Sequence, residues 1–157
     1  MGINKKTAHT AAASATPAVK EMSDTQRIVR LAIGDVFVFL IFAMLGRNSH
    51  NETSGLGALP QIVLTALPFA LGWFIVSPFM GAFKRDLVGQ PRMMAIRTSL
   101  AWLASWPVAM LLRIISEGIS GRGWYIPQWT FFLVTLVSNL VFLLVWRWPF
   151  ALSTKNR

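Results

Sequence analysis

Asp35 is the residue best placed to do chemistry, an acid set inside a long apolar run, Ala32-Ile33-Gly34-Asp35-Val36-Phe37. Carboxylates are costly in a hydrocarbon environment, and where they occur they usually face the interior of a helix bundle. Helical spacing places Asp35 on one face with Leu31, Phe39, Phe42 and Gly46. The expected base at matching depth is Arg97, with Asn139 and Ser138 closer to the midplane. Read functionally, this is an intramembrane site that binds a proton or a cation. Read structurally, the carboxyl group is neutralised by protonation or by pairing with Arg97, and the structural reading is preferred.

A second polar group gathers at the far end of the first helix. Gly46-Arg47-Asn48-Ser49-His50 is followed by Glu52, and the third helix closes with Arg113 and Glu117. Antiparallel packing would bring Arg47, His50, Arg113 and Glu117 together. Arginine offers phosphate or carboxylate a planar fork, so such a cluster could hold an anionic headgroup or solute. As an ion-pair network it would instead staple helices one and three, and that is the favoured reading. Trp102, Trp106, Met110 and Arg113 share one face of helix three. The expectation is packing against helices one and two in preference to an aromatic cavity.

The remaining inventory excludes most enzyme classes. There is no cysteine, hence no disulfide, thiolate metal site or iron–sulfur cluster. Two histidines, His9 and His50, are too few for a His-rich catalytic metal centre. No nucleophile–base pair, phosphate loop or metal motif is present, so the expectation is no enzyme, no metal and no cofactor. The net charge is +9, but the basic residues avoid the apolar runs, which argues against a nucleic-acid-binding face.

The elements that hold these residues are membrane spans. Hydrophobic residues make up 54% of the 157 and charged residues 13%, about half the usual soluble share; the mean hydropathy is +0.53. A bilayer core about 30 Å thick needs roughly 20 apolar residues per helix. Ile62 to Met80 and Trp129 to Trp146 carry no charge. Met93 to Ile115 has arginines only near its ends, at Arg97 and Arg113. Ile28 to Leu45 contains Arg30 and Asp35. An aspartate at a helix centre costs about 2.5–3.5 kcal/mol, while the apolar residues of Leu31 to Leu45 return roughly 3–6 kcal/mol, so this run also inserts. It is read as a retained helix and not a cleaved signal, because a long polar stretch precedes it and Leu45 suits cleavage poorly.

These spans, at about 28–46, 60–80, 93–115 and 128–148, predict an all-α membrane protein with four transmembrane helices in an up-down-up-down bundle. Residues 1–24 form an expected disordered cytoplasmic tail, 25–150 the transmembrane domain and 151–157 a cytoplasmic end. Ser23 or Asp24 is the expected cap of the first helix, and Pro60 suits the first turn of the second. Pro68 and Pro78 are assigned to helix two and Pro107 to helix three, each freeing a carbonyl. Twelve of the fifteen Lys and Arg residues fall on one side of the predicted bundle. Only Arg47, Arg113 and Arg122 fall on the other, which puts both termini in the cytoplasm. Aromatic belts agree, with Trp124, Tyr125 and Trp129 outside and Trp146 and Trp148 inside. No internal repeat supports an inverted-repeat transporter within one chain.

Several short signatures lie along the chain: Gly34-Asp35, Gly46-Arg47, Ser49-His50, Pro68-Phe69, Gly72-Trp73 and Leu112-Arg113. Together they resemble a family of small multi-pass membrane proteins catalogued as domain of unknown function 3054, over roughly Arg27 to Trp148. The resemblance implies a bacterial-type cytoplasmic-membrane protein of four helices and brings no activity with it. The functional expectation is a non-catalytic accessory or complex-forming membrane protein. Its partners would be the lipid bilayer and a second copy or a membrane-complex subunit. The alternative is a small proton-coupled transporter acting as a homodimer, with Asp35 as the coupling carboxylate.

Overall fold

The computed structural model describes residues 22–48, 58–121 and 126–153, with the side chains of 47 and 48 left out. Four helices run in sequence: α1 (Asp24–Asn48), α2 (Leu59–Val76), α3 (Pro91–Ile119) and α4 (Trp129–Ser153). All four are long and apolar enough to cross a membrane. Most of the tail expected at 1–24, the loop carrying His50, most of the C-terminal end and the outer aromatic pair Trp124-Tyr125 lie outside the described residues.

Helix starts follow local chemistry. The Gln26 backbone N–H donates to Ser23 Oγ at 3.2 Å, so Ser23 caps α1. Prolines open both α2 and α3, where the missing N–H would have no helical partner anyway. The helices run longer than the apolar stretches at most ends, because polar flanking residues continue the hydrogen-bond ladder beyond the hydrocarbon. At about 1.5 Å per residue α3 spans roughly 43 Å, well over a bilayer core.

α2 is the exception, and here the expected span overruns. The helix stops at Val76, and Pro78 lies in the turn beyond it. The Ser77 backbone N–H donates to the Trp73 carbonyl at 2.8 Å, and the Ser77 carbonyl accepts from the Ala82 N–H at 3.0 Å. Gly81 adopts φ 73°, a left-handed conformation that favours glycine, and so lets the chain double back. A short 3-10 segment, Arg85–Leu87, leads into α3.

Each helix packs against its two neighbours in a ring: α1 on α2 and α4, α2 on α3, and α3 on α4. Side chains close the centre. Phe39 of α1 meets Trp102 of α3 with ring centroids 5.7 Å apart, and Trp73 of α2 lies 6.3 Å from the same indole. Phe42 and Phe69 meet edge to face at 5.4 Å. Leu31, Asp35, Phe39 and Phe42 line the buried face of α1 as expected, but Gly46 at the end of that row is exposed.

Glycine sets two of the helix approaches. A Cβ at Gly34 would overlap the Trp146 indole, so the large side chain of α4 occupies space that α1 leaves vacant. A Cβ at Gly72 would sit 2.8 Å from the Ala109 backbone, which brings α2 and α3 close together.

Candidate functional site: a buried ion pair between the first and last helices

Asp35 and Arg147 form the polar centre of the bundle, and both are fully buried. Arg147 Nε donates to Asp35 Oδ1 at 2.9 Å, and Nη2 donates to Oδ2 at 2.5 Å. This is the bidentate fork that the planar guanidinium is shaped to make. The Trp73 indole N–H donates to Oδ2 at 3.0 Å, which ties α2 into the same contact. Arg147 Nη1 donates to the Ala82 carbonyl at 2.8 Å, inside the turn that follows α2. The guanidinium carbon lies 4.9 Å from the Trp73 ring and 4.8 Å from the Phe83 ring, so aromatic faces cover the cation.

Each partner is held by a backbone feature already described. Gly34 precedes Asp35 and Trp146 precedes Arg147. The indole resting on the glycine therefore fixes the separation of α1 and α4 where the fork must close. Trp73 follows Gly72, whose contact with Ala109 anchors the indole-bearing turn of α2. The doubled-back turn presents the Ala82 carbonyl because Ser77 and Gly81 reverse the chain there.

A second arginine grips the same turn. Arg27 is buried, and its Nη1 donates to the Phe83 and Lys84 carbonyls at 2.6 and 3.2 Å. Its Nη2 reaches Asp24 at 3.3 Å. α1 and α4 thus each send an arginine to the loop between α2 and α3. In the sequence Arg27 reads as one more cation of the N-terminal segment, but its role is to satisfy loop carbonyls.

The expected base for Asp35 was Arg97, and the structure replaces it with Arg147. Arg97 is partly exposed on α3, a helix diagonal to α1 in the ring, whereas α4 packs directly against α1. The sequence carries a signal for Arg147: the buried residues of α4 are Thr135, Asn139, Leu143, Arg147 and Ala151, a strict four-residue spacing. The row runs past Trp146, where the uncharged run ends, so Arg147 reads as a flanking charge unless the spacing is followed through it.

Along the same row Asn139 Nδ2 donates to the Thr135 carbonyl at 2.9 Å, so it is buried and bonded within α4, apart from the carboxylate. The aromatic face of α3 agrees with expectation at Trp102, which packs on Phe39 of α1 and Trp73 of α2, and departs from it at Trp106, which turns to α4. Trp102 Nε1 donates to the Leu136 carbonyl at 2.9 Å and Trp106 Nε1 to Thr135 Oγ1 at 3.2 Å, so both indoles bond to α4. Their rings do not line a cavity, since Trp102 packs on Phe39 and Trp73 while Trp106 packs on Phe132.

Of the expected polar cluster at the opposite end, Arg113 and Glu117 pair at 2.6 Å, one turn apart on α3. The Arg47 side chain and His50 lie outside the described residues. No group of three or more His, Cys, Asp or Glu that could hold a metal is found among the described residues.

Residues 32–150, a stretch that holds Asp35, Trp73, Ala82 and Arg147, match the family described as Protein of unknown function (DUF3054). The chain belongs to this family. The match opens just before the Gly34-Asp35 step and closes just after Arg147-Trp148, so both ends of the ion pair fall within it. Comparison with curated proteins and with solved structures finds no match for the chain.

Proposed function

We propose that this is a non-catalytic, multi-pass membrane protein of a bacterial-type cytoplasmic membrane, acting as an accessory or complex-forming subunit. Both termini face the cytoplasm in this reading, on the strength of the charge asymmetry. The observation that carries it is the state of Asp35. Both carboxylate oxygens are engaged, by the Arg147 fork and the Trp73 indole, and no part of the residue is exposed. A carboxylate that carries protons across a membrane must alternate between loaded and empty states and reach water. Asp35 is instead held by a cation that is itself fully buried, which weighs against the proton-coupled homodimeric transporter.

In this reading the protein's contribution lies in what its apolar helix faces bring together. Mild-detergent purification from native membranes tests this directly. The expected result is a partner recovered in fixed ratio; a lone monodisperse homodimer counts against the subunit reading. In reconstituted vesicles, proton-coupled cation uptake that vanishes in Asp35→Asn would revive the transporter.

A further inference from the structure

Two arginines stand on helix faces made otherwise of exposed, large apolar side chains. Arg30 of α1 is exposed in one row with Ile33, Phe37 and Ile41, themselves 53%, 59% and 44% exposed. Arg97 of α3 is partly exposed beside Met93, Ile96 and Leu100, which are 39%, 42% and 48% exposed. These are the faces a membrane helix turns toward lipid. Both arginines sit about 9 Å past the start of their helices, at matching depths on opposite corners of the bundle. Among the described residues neither side chain has an ion-pair or hydrogen-bond partner. Asp24 is taken by Arg27 and Arg85, and Asp35 by Arg147, while Asp86, exposed on the 3-10 segment, pairs with neither arginine.

A cation on a lipid-facing helix at this depth lowers its energy by laying its stem along the apolar surface and raising its head to the phosphate level. Arg92, exposed near the start of α3, adds a further positive charge at that level. Phe79, 89% exposed in the turn after α2, and Trp148, 47% exposed on α4, mark the same boundary with aromatic rings.

We propose that this end of the bundle binds the phosphates of anionic phospholipids, with Arg30 and Arg97 as the principal ligands on two separate corners. The bidentate geometry of arginine suits a phosphodiester, and anionic headgroups add net charge complementarity. The proposal rests on the four helices crossing the bilayer, and not on what the protein assembles with.

The test compares the full chain, reconstituted in phosphatidylcholine nanodiscs with and without phosphatidylglycerol, and counts co-purifying lipid by native mass spectrometry. The expected wild-type result is enrichment of phosphatidylglycerol over its bulk fraction, weakened by salt. The double variant Arg30→Gln/Arg97→Gln should lose that enrichment, roughly fivefold for each arginine. Arg30→Lys/Arg97→Lys should keep most of it. Enrichment unchanged in the glutamine variant, or absent from the wild type, overturns the proposal. Release of the wild-type chain from membranes by alkaline carbonate would instead overturn the membrane-spanning reading, so the two failures are distinguishable.

Discussion

Arg147 closes its guanidinium fork on Asp35 across 112 positions of sequence, joining the last helix to the first. Ring packing already makes α1 and α4 neighbours, but the fork sets their axial register, because a shift of one residue would carry the two heads apart. Removing one member of such a buried pair costs more stability than replacing both, since the survivor is left as an uncompensated charge.

Asp35→Asn should therefore destabilise the bundle by about 3–5 kcal/mol, and Arg147→Met by a similar amount. Asp35→Leu with Arg147→Met should cost much less than the sum. Thermal unfolding of the four proteins in one detergent–lipid mixture measures the coupling; additive losses would show that the pair is not a unit.

Trp73→Phe removes the indole N–H from Asp35 Oδ2 while leaving a ring near Arg147. Hydrogen bonds to charged groups contribute about 1.5–3 kcal/mol, and the loss should lie in that range. Trp73→Leu also removes the ring over the cation and should cost more by the same unfolding assay.

Gly34→Leu drives a side chain into the Trp146 indole. Overpacking typically costs about 1–3 kcal/mol, and it should also separate Asp35 from Arg147. Pairing it with Trp146→Ala should recover a large part of the loss. No recovery would place the strain somewhere other than this contact.

Arg27→Met leaves the Phe83 and Lys84 carbonyls without their donor and loosens the turn that also supplies Ala82 to Arg147. Amide hydrogen exchange across residues 82–88 should quicken markedly, with little change in the middle of α2 or α3. Uniform acceleration along all four helices would indicate global unfolding instead.

The helices and their order were legible because long uncharged runs admit no other arrangement in lipid. Asp35 stood out for the same reason: one acid in an apolar run is conspicuous, and its buried face followed from spacing through Leu31, Phe39 and Phe42. Its partner was hidden by position. Arg147 follows directly on an uncharged run, where cations ordinarily mark the membrane boundary, and only the four-residue row through Thr135, Asn139 and Leu143 reveals that it points inward. Arg97 stands at a suitable depth, but depth alone does not tell which helices are diagonal. The contacts of Trp102 and Trp106 with α4 depend on rotation about the axis of α3, which residue type does not determine. The end of α2 was overrun because Pro78 and Phe79 are apolar enough to extend a hydropathy run past the point where Ser77 and Gly81 turn the chain.

The link between α1 and α4 also bears on how the protein is made. Asp35 enters the bilayer with the first helix, and the guanidinium that neutralises it emerges only with the final one. Until α4 is made the early helix holds an acid without its guanidinium partner, and a product that terminates before residue 147 never gains it. Synthesis as far as α4 is thus written into the chemistry: a carboxyl group in lipid without its guanidinium distinguishes a copy that lacks α4 from one that carries it.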